Sequence, residues 1–266
     1  MIERFWMRFA GVCCALAALA AVASPARAQD EEELKRDAVS RLIESHDTTL
    51  SVYIGRVYVK QAALKAAREL LEERGRAAGL GKQWNLQDAD WQGAERELMQ
   101  GVDERIQRDV ANPVWLKQAW SGLVSQTLNG EQADEIAVHF QTEGGQLQRR
   151  VIEWFVGELT LQTYSFTDRL KYGVPGSEQE MHDLQVVTYE RMFHGIHDFT
   201  HYPDAMRFAS TDPGVKYFKM MVMQGVHAVH EHLEQVANEA RAVIRSRAAL
   251  ADPYITRAKG AAASGQ

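Results

Sequence analysis

Histidine is the residue type whose placement in this sequence invites chemistry: seven of the nine fall between His182 and His232. Glu190, His194, His197 and His201 follow one another at spacings of four, three and four. Residues so spaced are neighbours on a helix surface, and imidazoles one turn apart can chelate a Zn, Cu or Ni ion. His227, His230, Glu231 and Glu234 form a second group on one flank of a later helix. If the two helices pack side by side, the groups can meet in a carboxylate–histidine site of the kind helical bundles support. The competing reading is a solvated face. On the first helix Met181, Tyr189, Met192, Ile196 and Phe199 take the opposite, core-facing side, and polar residues belong on the outward one.

Other signatures of chemistry are missing. Gly75 to Lys82 resembles a phosphate loop but has the wrong spacing and is followed by Gln83 where Ser or Thr is needed. There is no G-x-S-x-G elbow, and His230-Glu231-His232 lacks the spacing of a zinc-protease helix. Trp84, Trp91, Trp115, Trp120 and Trp154 sit on helical faces as core or interface anchors, and the Met220-Met221-Val222-Met223 run reads as core filling. No catalytic residue is assigned.

The elements that must position these side chains are helices. Beyond residue 30 alternating β-branched runs are absent, and the prolines stand at breaks between stretches of helical periodicity. The expected fold is all-α, an elongated bundle of about eight or nine helices. Asp47-Thr48 caps a long helix that Gly75 to Gly81 interrupts, and Asn112-Pro113 ends one helix and starts the next. Leu147, Val151, Phe155, Leu159, Phe166 and Leu170 mark the core face of another long helix. Ser177 and Glu180 form a capping box after the Gly173 to Gly176 break. The final helix carries a single apolar stripe: Val215, Phe218, Val222, Val226, Val229, Leu233, Val236, Ala240 and Val243. The Ala, Gly and Ser content from Ala258 to Gln266 predicts a disordered tail.

Residues 1–28 read as a secretory signal peptide. Arg4 and Arg8 precede an apolar run from Phe9 to Ala23, which is followed by Ala26-Arg27-Ala28 as a cleavage site before Gln29. The run is shorter than the roughly 20 residues a membrane-spanning helix needs. The expected location is therefore periplasmic or secreted, with no transmembrane segment after cleavage. Both cysteines, Cys13 and Cys14, leave with this segment, which excludes thiol catalysis, thiolate metal sites and disulfides from the remainder. A net charge of -6 gives no basic field for nucleic acid. The remainder, 29–257, is one helical domain or two sub-units, 29–172 and 177–257, meeting near Gly173 to Ser177.

Two corners repeat a pattern. Phe140-Gln141-Thr142-Glu143-Gly144-Gly145 precedes one long helix and Phe208 to Gly214 precedes the other. In each a Phe ends a short helix, a Thr follows as cap, and a Gly stands three residues after the Thr. The offset between the two Thr is 69 residues. Together with the acidic lead-in Gly130 to Glu135, the first corner resembles the secreted bacterial proteins of the domain of unknown function 2059 family. The resemblance is best over residues 112–172, with a weaker second copy near 204–250. It departs from the family where Gln141 stands in place of a second aromatic. It implies a helical, exported protein without an assigned activity and brings no catalytic residue.

The function expected from these features is non-enzymatic: a cell-envelope interaction or accessory protein that self-associates or binds an envelope partner through its amphipathic helices. The alternative is a periplasmic transition-metal protein using Glu190, His194, His197 and His201, with His227 and His230.

Overall fold

In the computed structural model the described residues are 31–172, 186, 190, 194, 197, 198 and 201–264, with side chains to 160 in the first stretch and to 262 in the last. The leader read at 1–28 and the capping box at Ser177 and Glu180 lie outside them. The fold is all-α, and no strand occurs among the described residues. Helix α1 covers 31–44. It is followed by α2 (Thr49–Ala77), α3 (Ala89–Asp109), α4 (Val114–Thr127), α5 (Gly130–His139) and α6 (Glu143–Tyr172). Beyond the partly described stretch come α7 (Pro203–Phe208), α8 (Asp212–Lys219), a π-helical turn (Met220–Gly225), α9 (Val226–Ser246), a 3-10 turn (Ala248–Ala251) and α10 (Asp252–Ser264).

Helices α2, α3, α6 and α9 pack together as the centre of the bundle. Helix α2 is buried nearly all round between Ile54 and Ala63, as expected of a helix enclosed by others. Trp91, Leu98, Val102 and Ile106 of α3 meet this centre, as do Val229, Leu233, Val236, Ala240 and Ile244 of α9. The core is one cluster that draws on residues from both of the sub-units envisaged from sequence. Trp84, Trp91 and Trp120 are buried in it and Trp115 packs against it. The tail expected to be disordered from Ala258 is instead helical to Ser264, and Ala258 itself is buried against the core.

The two corners are built alike. Thr142 Oγ1 donates to His139 O at 2.9 Å and accepts the Gly145 N–H at 3.0 Å. Thr211 Oγ1 donates to Phe208 O at 2.8 Å and accepts the Gly214 N–H at 3.2 Å. Glycine is required at both positions for the same reason. A Cβ on Gly145 would collide with His139 O, and one on Gly214 with Phe208 O. At the offset of 69 residues His139 and Phe208 are counterparts, and their rings stack with centroids 3.9 Å apart. The short helix of each corner packs on the long helix of the other, α5 on α8 and α7 on α6.

The apolar stripe of the final helix is corrected by the π-helical turn. The residues that turn inward are Tyr217, Met221, Gly225, Val229 and Leu233, a row in steps of four. An unbroken α-helix would carry such a row about 160° around its axis. The wider π turn takes up much of that drift. Val226, Val229, Leu233, Val236 and Ala240 keep their expected place in the core. Val215 and Phe218, expected to continue the stripe, are rotated outward and are 37% and 40% exposed, and Val222 is half-buried.

Candidate functional site

The most organised polar group lies inside the protein, where α1 ends. His46 follows the last turn of α1, Glu153 sits in α6, and Tyr217 stands in α8 just before the π-helical turn. The His46 side chain is 0% exposed and that of Glu153 6%. The ring of His46 bridges the other two: Nδ1 lies 2.8 Å from Glu153 Oε1, and Nε2 is hydrogen-bonded to the Tyr217 hydroxyl. Glu153 Oε1 also accepts the Asp47 N–H at 3.0 Å and faces the Arg149 guanidinium at 3.6 Å. Burial, reinforced by the Glu153 charge, pushes the Tyr217 hydroxyl well above its usual range. A neutral His46 carrying its proton on Nδ1 satisfies both contacts, with Tyr217 O–H donating to Nε2 and Nδ1–H donating to Glu153 Oε1.

Aromatic rings close around this chain. Trp120 meets the His46 ring edge-on at 5.1 Å, and Phe140 meets both His46 and Tyr217 edge-on at 6.0 and 5.5 Å. Trp120 Nε1 is buried next to it with no hydrogen-bond partner among the described residues.

A hydroxyl, an imidazole and a carboxylate in series is the arrangement that activates a nucleophile when the hydroxyl faces a substrate. Here the hydroxyl is sealed in, and three open clefts on the surface are lined by none of the three residues. The chain acts as a clamp that ties the end of α1 to α6 and α8. Sequence reasoning missed all three residues. The one available signal was Glu153, a lone carboxylate flanked by Val151, Ile152, Trp154 and Phe155.

The histidines singled out from sequence occupy different surroundings. Glu190, His194 and His197 are helical and exposed, and His201 lies exposed in the turn that follows. The rings of His197 and His201 are adjacent, with centroids 5.6 Å apart. His227 is exposed and pairs with Glu231 at 3.1 Å, whereas His230 is half-buried with its ring edge-on to Tyr58 at 6.1 Å. Glu234 accepts a hydrogen bond from the Tyr58 hydroxyl at 2.6 Å. Among the described residues no group of three His, Cys, Asp or Glu is placed to hold a metal ion.

The surface also carries an apolar face. Val215, Phe218 and Met223 are exposed, Val222 is half-buried, and Phe155 of α6 meets Phe218 edge-on at 6.0 Å. No helix among the described residues is long and apolar enough to cross a membrane. Comparison with known proteins returns no matching family model, no similar curated protein and no similar solved structure.

Proposed function

We propose that the protein is an exported accessory protein of the bacterial cell envelope that works by binding another protein. The observation that carries this reading is the face of Val215, Phe218, Val222 and Met223. A helical stripe apolar enough to belong in a core is turned toward solvent by a π-helical turn. Apolar side chains grouped on an exposed helix are the usual footprint of helix recognition, and π turns concentrate at functional sites. The proposal includes membership of the domain of unknown function 2059 family, for which the Thr142 and Thr211 corners are the supporting feature.

The test is site-specific photocrosslinking from position 223 in cells. We expect a crosslinked product that disappears in Phe218→Glu and persists in Tyr53→Glu, which changes an exposed aromatic on α2. The mass of the product separates a second copy of this chain from a different partner. A crosslink indifferent to Phe218→Glu, or none at all, rejects the reading. Export is tested separately: the periplasmic form should begin at Gln29, and an uncleaved cytosolic chain would overturn that part.

A further inference from the structure

We propose that the occupant of the exposed face on α8 and the π-helical turn is an amphipathic helix of a different protein, one that sets a carboxylate against Lys219. The inference rests on the reading of that face as a protein-docking surface and names the chemistry of its partner. Val215, Lys219, Met223, His227 and Glu231 follow one another in steps of four, and all five are exposed. They are the outward counterpart of the buried row that runs from Tyr217 to Leu233 in the same steps. From Val215 to His227 an unbroken α-helix would carry this row about 120° around its axis, and the π turn takes up most of that drift. The result is a straight ridge, flanked by Phe218 and Val222, along which a second helix can lie.

The charges on and beside the ridge differ in what they have left to bind. Lys216 is paired with Asp212 at 2.7 Å, and His227 with Glu231 at 3.1 Å. Lys219 stands one turn from both Val215 and Met223 and makes no ion pair among the described residues. A partner that covers those apolar side chains also takes the ammonium partly out of water, which costs free energy unless the partner supplies a carboxylate. A two-fold pairing of the ridge with itself, centred on its apolar part, would set Lys219 against Lys219, which disfavours a second copy of this chain. An anionic lipid surface is disfavoured as well. Helices that bind one present several basic residues, whereas this helical run also exposes the carboxylates of Asp212 and Glu231.

The test uses two synthetic helical peptides with the same leucine stripe, one flanked by Glu and the other by Lys, titrated against the full chain and read by fluorescence anisotropy. We expect the Glu peptide to bind more tightly by about fivefold or more, and Lys219→Glu to reverse the preference. Phe218→Glu should abolish binding of both peptides and Tyr53→Glu should alter neither, with circular dichroism verifying that these exposed substitutions leave the fold intact. Equal binding of the two peptides, or binding of neither while the crosslink from position 223 persists, overturns the inference and leaves the docking reading standing. A crosslink indifferent to Phe218→Glu removes both. A dimer of the parent chain that Phe218→Glu dissolves in sedimentation, or uptake by phosphatidylglycerol vesicles that the same change abolishes, overturns the inference in favour of a second copy or a lipid surface.

Discussion

At the scale of residues, the buried clamp concentrates the risk of mutation. Removing one partner of a buried hydrogen-bonded chain leaves the others unsatisfied away from water, at a cost of about 1–3 kcal/mol each. Glu153→Ala and His46→Ala should each lower the stability read from urea denaturation by about that amount. Tyr217→Phe keeps the ring and loses only the hydroxyl. It should cost about 1–3 kcal/mol, the price of leaving His46 Nε2 unsatisfied. Tyr217 also sets an alkaline limit. Its folded pKa is raised, so its contribution is intact below about pH 10, where the unfolded tyrosine begins to ionise, and is lost as pH climbs toward the folded value. Denaturation followed from pH 9 upward should show a limb shallower by one proton in Tyr217→Phe.

At the scale of elements, the π-helical turn decides which face of α8 is inside. Deleting one residue between Met220 and Gly225 would take out about 100° of rotation, close to what the π turn absorbs, so a regular α-helix would leave Tyr217 facing His46 and Phe218 facing solvent. We expect that variant to keep the clamp and most of the parent's thermal stability, and a marked loss in thermal melts would show that the π geometry itself is needed to seat Tyr217. The same turn marks where sequence reading stopped. Periodicity located the helices, and Val226 to Ala240 fell in the core as expected, because α9 is regular there. It misplaced Val215 and Phe218 because a stripe is computed at one constant pitch, and a change of pitch leaves no signature in residue type. The Thr and Gly corners were legible because a side-chain cap and a close backbone approach each demand a particular residue. His46, Glu153 and Tyr217 were not, since their meeting is purely tertiary.

At the scale of the whole molecule, acid should loosen two places together. Hydrogen bonds from Thr49, helped by the Arg149 charge, hold the Asp47 carboxyl below its usual range, and hydrogen bonds from Arg108 and Arg105 do so for Asp109. Both folded values are depressed, so the stability they confer is present above about pH 4 and is lost as pH falls further. Asp109→Asn should flatten that acid limb in a pH series of thermal melts, and an unchanged limb would assign it to other groups. The clamp has a further, kinetic consequence. His46 and Tyr217 lie 171 residues apart. A chain made from its N-terminus must therefore wait for most of its length before the imidazole finds its hydroxyl, and closing so long a loop is a slow step. Until then α1 has no seal at its base, and the chain stays open to whatever machinery handles it first.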